Sequence, residues 1–344
     1  MVVKTKLDGV YFDPIKAQEY FYHDGKLTTA NGDCVPVIKD IPRFVDSDNY
    51  AYDFGFQWNK FKKTQLDSFT GKSHSEKRLM NCLGSNLTVL RSKKILEAGC
   101  GAGRFTEILL KYGGYVHAFD YSNAVEACME NNGSSPNFSI AQADIRFMPY
   151  KKNEYDYVFC MGVLQHTPSP EESIKYLYIM TKPGGILCID HYLFKLRNIL
   201  PPPIGVAEKV YRWFILLLPH KVRYKVVHRI VSFWFPIHWK FRKIRLFQQL
   251  LRRISPVHFY YPEYDLPGYN DYYQLALLDT HDGTTDKYRH HRSIRSIRKT
   301  LEKLGAKNIV INWAEMVLKQ SVTSQEIRFL LIIVLVRLST ATSG

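Results

Sequence analysis

Paired cysteines are missing from this chain. Its six cysteines stand at 34, 82, 100, 128, 160 and 188, with no CxxC among them. That argues against a disulfide framework and a cysteine zinc site, and it fits a reducing compartment. Long apolar runs are missing too. The longest, Phe329–Val336 and the stretch from Phe214 to Pro219, fall far short of the roughly 20 residues that span a bilayer. The amino terminus lacks the apolar core of a secretory signal, so the expected location is cytoplasmic. Acids are scarce in one place. From Leu193 to Tyr260 there are 14 Lys and Arg against Glu208 alone, a net +13 out of +15 for the 344 residues. The excess is therefore a feature of one segment.

What the chain does have is a glycine-dense turn between a strand and a helix. Lys93 to Phe105 reads KKILEAGCGAGRF. Ile95 and Leu96 begin the apolar strand, Gly99, Gly101 and Gly103 form the turn, and Phe105, Ile108 and Leu109 line one face of the helix. That order marks a nucleotide-type ligand site at the carboxyl edge of a parallel sheet. Three glycines in one turn point to close approach of a ligand. A dinucleotide fingerprint would need glycine at 104, where the chain has Arg104. Strands at Tyr115–Phe119, Phe138–Ala141, Tyr157–Met161 and Ile186–Asp190 alternate with helices Ser122–Asn131 and Ser169–Thr181. The pattern predicts an α/β chain with a parallel sheet.

The run LEAGCGAGRFTEILL, with Glu97 ahead of the glycines, resembles the first motif of the class I S-adenosylmethionine-dependent methyltransferases. Gly162-Val163-Leu164-Gln165-His166 and the turn Lys182-Pro183-Gly184-Gly185 resemble segments of its small-molecule, lipid and saccharide members. The resemblance implies a Rossmann-like seven-stranded sheet with helices on both faces and S-adenosyl-L-methionine as cofactor. It assigns cofactor contacts to Glu97, Gly99, Gly101, Gly103 and Gly162. Asp120, with Tyr121 beside it, takes the ribose diol, a role that suits an acid at the end of a second strand. Asp144 and Ile145 take adenine. Members that methylate the exocyclic amines of bases carry Asn/Asp-Pro-Pro-aromatic after the fourth strand. Its absence here makes nucleic acid a less favoured partner.

The rest of the chain divides around this core of 93–192. Residues 1–45 read as a small β-rich leader, with turns at Asp24-Gly25 and Asn31-Gly32-Asp33. It resembles the zinc-ribbon-like leader of some methyltransferases, but Thr28 and Asn31 replace paired cysteines and Cys34 stands alone, so no metal is expected. Residues 46–92 form a helical lead-in, with a helix predicted from Gln57 to about Ser68. There Phe56, Gln57 and Trp58 either line the site or merely dock the leader. Residues 193–262 read as a basic, aromatic helical cap broken by Pro219, Pro236 and Pro256. Residues 263–338 complete the core. The stretch 261–290 is expected to be loop-rich around a helix at Tyr272–Leu278. A helix Ser293–Leu304 and strands Lys307–Ile311 and Glu326–Arg337 follow, the last inserted antiparallel by resemblance.

Methyl transfer from a sulfonium needs alignment and dryness more than covalent help. A hydroxyl acceptor also needs a base. His166 is the first candidate, His191 and Asp190 the second, and Asp279, His281 and Asp282 in the returning loop the third. Proximity alone is the alternative. Gln57, Trp58, Asp279 and His281 are the candidate acceptor contacts. The favoured reading is O-methylation of a small molecule, sugar or glycolipid. Against it stand a lipid or quinone methyltransferase in peripheral contact with an anionic membrane, an RNA methyltransferase, and a non-catalytic partner of the same fold. A charge-rich helix set is also compatible with a plain solvated face.

Overall fold

The computed structural model describes residues 7, 9–194, 200, 202, 205–262, 266–315 and 330–338. In the leader, Phe12–Asp13 (β1) pairs with Gln18–Glu19 (β2). Phe21–His23 (β3), Lys26–Thr28 (β4), Cys34–Ile38 (β5) and Ile41–Pro42 (β6) make a four-stranded meander. Asp24 and Gly25 both take positive φ, 45° and 75°, which matches the twist of a two-residue hairpin turn. The leader closes one edge of the main sheet. Arg43 bridges Gln142, and Phe44 N donates to Gln142 O at 2.8 Å. Tyr11 Oη donates to Ile140 O at 2.8 Å. An exposed edge strand is thereby covered.

The lead-in holds three helices, Tyr52–Lys60 (α1), Asp67–Thr70 (α2) and His74–Leu83 (α3). The single helix predicted over 57–68 is thus replaced by α1, which starts earlier, and by α2. The break has a local cause. The Asp67 carboxylate accepts from the amides of Ser75 and Glu76, both at 3.0 Å, and so starts α3. Buried Leu79, Cys82 and Leu83 then pin α3 to the core.

The core runs through Lys94–Ala98 (β7), Arg104–Lys111 (α4), Tyr115–Asp120 (β8), Val125–Asn132 (α5), Phe138–Gln142 (β9), Tyr155–Cys160 (β10), Pro170–Met180 (α6) and Thr181–Tyr192 (β11). Helix α5 starts later than predicted, because Ser122 Oγ spends itself on the Asp120 carboxylate at 2.7 Å as well as on Ala124 N. Residues 208–216 (α7), 220–240 (α8), 245–254 (α9) and 269–285 (α10) belong to a second compact unit. The first unit resumes with Ile294–Lys303 (α11), Asn308–Glu315 (β12) and Leu330–Arg337 (β13). Of the last predicted strand, residues 326–329 lie outside the described residues.

The seven-stranded sheet has the order β12-β13-β11-β10-β7-β8-β9. Strands β9, β8, β7, β10 and β11 are mutually parallel, and β13 runs antiparallel beside β11. The expected seven-stranded α/β sheet with its reversed inserted strand is present. Ile95, Leu96, Val116, Ala118, Ile140, Val158, Phe159, Leu187 and Val334 are buried, the continuous apolar pattern of strands covered on both faces. Right-handed crossovers running outward in opposite directions put α4 and α5 on one face and α6 on the other. In β11, Thr181 faces Tyr155 while Ile186 faces Tyr157, so the Lys182–Gly185 turn bulges from the ladder.

In the second unit Pro219 precedes α8 as expected, but Pro236 lies inside α8 and does not break it. Its neighbour Phe235 is fully buried among the rings of Phe259, Tyr269 and Tyr273, and that packing carries the helix through. The predicted returning loop is also helical. Asp279, His281 and Asp282 lie within α10, where Thr284 and Thr285 hydroxyls donate to the carbonyls of Thr280 and His281 at 2.6 and 2.7 Å. Among the described residues, no helix is long and apolar enough to cross a membrane.

Candidate functional site

From β7 the chain moves outward to β8 and β9, and from β10 it moves the other way to β11. The carboxyl ends of β7 and β10 therefore flank a topological switch point, where open α/β sheets form a ligand crevice. Gly99–Gly103 leaves one strand and Gly162–His166 leaves the other. The three turn glycines all have positive φ, yet each answers a different neighbour. A Cβ on Gly99 would stand 2.3 Å from a Val163 methyl. One on Gly101 would reach 3.4 Å from Trp58 Nε1, and one on Gly103 would stand 2.2 Å from Asn132 Nδ2. The first lets two loops meet, the second seats the turn beneath α1, and the third lets α4 pack on α5.

Two acids hold this turn. Asp120 Oδ2 accepts from Gly101 N at 3.0 Å, and Oδ1 accepts from Ser122 N and Oγ at 2.8 and 2.7 Å. Burial raises its carboxyl despite these donors. Glu97 is buried at the end of β7 and accepts from Thr106 Oγ1 at 2.6 Å through Oε2. Its Oε1 has no partner among the described residues. Burial pushes its carboxyl up to about 8. A buried carboxylate oxygen without a donor is costly, and the site offers it to a cationic or hydrogen-bonding ligand.

Along the next strand ends, the rings of Tyr121 and Tyr50 stack 4.7 Å apart. Asn49 Nδ2 donates to Tyr121 O at 3.0 Å. Burial first, then Asp144, raises the Tyr50 phenol. Asp144 is buried and takes the amide and guanidinium of Arg146 at 2.7–3.2 Å. Ile145 beside it is buried.

Helix α1 reaches both loops. Phe54 lies edge-on to the His166 ring at 5.0 Å, and one turn later Trp58 sits by Gly101. Gly55 permits the close approach, since its Cβ would stand 2.8 Å from Asn123 N. Gln57 is buried, and Phe56 is exposed. His166 is half-buried and also packs edge-on against Tyr192 at 5.6 Å.

On β11, alternation puts Asp190 and Tyr192 on one face and His191 on the other. Asp190 is fully buried. Its Oδ1 accepts from Gly162 N at 2.6 Å, and Oδ2 binds the Arg78 guanidinium. It anchors the second loop. His191 Nδ1 donates to Tyr192 O at 3.1 Å, which fixes the tautomer with hydrogen on Nδ1, and burial lowers its pKa to about 4. Asp279 and His281 belong to the second unit. His281 is fully buried against Tyr224 at 5.7 Å, and Asp279 is half-buried.

Sequence reasoning missed Tyr50, Phe54, Arg78, Thr106 and Arg146. Phe54 and Trp58 are four residues apart, and that spacing was the available signal for one helix face. Arg78 had none, since its partner is 112 residues away.

Residues 96–189 match the family described as Methyltransferase domain. A ubiquinone biosynthesis O-methyltransferase of Coxiella burnetii is 32% identical over 124 residues, which is 36% of this chain and 53% of that protein. One from Shewanella sp. (strain ANA-3) is 31% identical over 117 residues, 33% of this chain and 49% of that protein. The chain spans about half the length of these curated relatives. Among solved structures, a Burkholderia thailandensis 1,6-didemethyltoxoflavin-N1-methyltransferase is 11% identical with a TM-score of 0.43, covering 93% of this chain and 99% of that one. Haemonchus contortus phosphoethanolamine N-methyltransferase 2 is 14% identical with a TM-score of 0.42, covering 77% and 43%. Residues 96–189 of this chain thus carry a methyltransferase domain.

Proposed function

We propose that the protein binds S-adenosylmethionine at the switch point and methylates a hydroxyl of a small-molecule acceptor. The observation that carries this reading is the buried Glu97 oxygen, without a partner among the described residues, beside a three-glycine turn. An α-ammonium group fits that oxygen. Asp120 is positioned to take a ribose diol through the lone pairs left beside Gly101 and Ser122, and Asp144 with Ile145 suits adenine. When bound, the cofactor would supply a methyl group from its sulfonium, whose neutral thioether is a good leaving group. The chain's own residues align the acceptor and exclude water. Trp58 and Phe54 close one side, and His166 faces the acceptor hydroxyl as the base that takes its proton. Asp190 holds Gly162 and is a positioning residue. An intact Glu97, Asp120 and Asp144 weigh against a non-catalytic partner.

A specific observation favours a second reading for the acceptor. The matched relatives are named as ubiquinone biosynthesis O-methyltransferases, which supports a phenolic quinone precursor over a sugar or glycolipid. The test is an acceptor panel of catechols, polyprenylated phenols, deoxysugars and glycolipids, read by release of S-adenosylhomocysteine. Turnover restricted to phenols selects the quinone reading. Turnover with none of these hydroxyl acceptors contradicts the O-methylation proposal.

A further inference from the structure

In the second unit the water-facing side of two helices is apolar. On α7 and its C-cap residue, Val210, Trp213, Phe214 and Leu217 follow the spacing i, i+3, i+4, i+7 and so share one face. That face is turned outward, with Trp213, Phe214 and Leu217 exposed by 63%, 57% and 71%. Helix α9 repeats the arrangement. Leu246, Leu250 and Ile254 form an exposed stripe, Leu246 by 79%, while Leu251 faces inward. The helices adjoin, since Ala207 N donates to Arg252 O at 3.3 Å where α7 begins and α9 ends. A soluble surface rarely leaves this many large apolar side chains open along neighbouring helices without a use for them.

The charge that residues 193–260 themselves add around these stripes is almost all of one sign. Arg245 and Arg253 flank the α9 stripe and are exposed, and Lys221, Lys225 and Arg229 form an exposed row at i, i+4, i+8 on α8. Glu208 is the sole acid between Leu193 and Tyr260. It is buried, held by the Arg289 guanidinium and 3.4 Å from His258 Nε2. No carboxylate of that segment therefore offsets the cations at the surface.

We infer that α7, α8 and α9 form a docking surface for an anionic lipid bilayer. Basic flanks beside an outward apolar stripe are the pattern of helices that lie in the membrane interface. The stripes are mainly aliphatic, and aliphatic side chains give nucleic-acid bases little to stack on. A second copy would bring an equal cationic surface against this one. The inference does not depend on the methyl-transfer reading.

The test is flotation of the full chain with vesicles of phosphatidylcholine, with and without about one third phosphatidylglycerol, at about 0.1 M salt. The expected result is binding to the anionic vesicles only. F214E/L246E and, separately, W213S/L250S should each weaken binding at least about tenfold, because apolar insertion is lost. K221E/K225E should weaken it too, and high salt should release the protein. These side chains are exposed, and unchanged thermal melting confirms that the variants fold. Four results would overturn the inference. One is no flotation at low salt. Another is flotation that both apolar double variants leave unchanged, which would mean unspecific charge adhesion. The third is a dimer in light scattering that F214E/L246E splits while vesicle binding is absent, which would assign the surface to a second copy. Tighter binding to single-stranded RNA than to vesicles, insensitive to the apolar variants, would likewise overturn it.

Discussion

Gly99 and Val163 meet so closely that a Cβ on the glycine would stand 2.3 Å from a valine methyl. The loops leaving β7 and β10 are therefore built against each other, and Gly99 also holds φ at 78°. Gly99→Ala is expected to cost about 1–2 kcal/mol from the left-handed backbone alone, and more from the clash. The double variant G99A/V163A should recover part of the loss and leave the backbone share. Urea denaturation of the single and double variants checks this, and equal losses in both would remove the clash from the account.

Asp120 ties the glycine turn to the end of β8 through Gly101 N and Ser122. Asp120→Ala leaves those donors unmet, at about 1–3 kcal/mol of stability. It should also weaken S-adenosylmethionine binding by about tenfold or more, the size expected for hydrogen bonds to a charged group. Unchanged affinity in a titration would refute the ribose contact.

Glu97 gives a pH signature. Its carboxyl is raised from 4.5 to about 8 by burial, so between those values the folded chain keeps a proton that the unfolded chain has released. Its contribution to stability is full at low pH and falls as pH rises through that window. The slope is at most about 1.4 kcal/mol per pH unit. Glu97→Gln should flatten the profile measured by denaturation from pH 5 to 8. Parallel profiles for the two proteins would show that Glu97 does not titrate in that range.

His166 packs between Phe54 and Tyr192 at the end of β10. As the base for a hydroxyl acceptor, its loss should lower kcat by about 100-fold or more with cofactor affinity unchanged. A second readout separates chemistry from packing. The pH dependence that kcat of the native protein owes to deprotonation of this base should vanish in His166→Ala. Normal turnover in that variant would leave alignment alone as the mechanism.

Much of the sheet was legible because its strands and glycine turns are local signals. Ile95 and Leu96 before three glycines, and the Leu330–Val336 run, each announce a buried strand without help from distant residues. The lead-in was less legible. Asp67 caps α3 through Ser75 and Glu76, a break that composition alone does not reveal. Pro236 inside α8 and the helical Asp279–Asp282 stretch show tertiary packing overriding local propensity. In the site, Glu97, Asp120 and the glycines stood out by type and spacing. Arg78 on Asp190 and Tyr50 on Tyr121 did not, because long-range pairing in the folded chain leaves no pattern in sequence.

Glu97 and the glycine turn are proposed to receive the ammonium end of S-adenosylmethionine. A cation placed on that orphaned oxygen favours the ionised carboxylate, so binding near pH 7 must expel the proton that burial retains. Calorimetric titration with S-adenosylmethionine in two buffers of different ionisation enthalpy tests this most directly. Micromolar binding with release of close to one proton is expected, and no release in Glu97→Gln. Binding without proton release would contradict the role given to Glu97, and failure to bind S-adenosylmethionine or S-adenosylhomocysteine would contradict a cofactor site at the switch point.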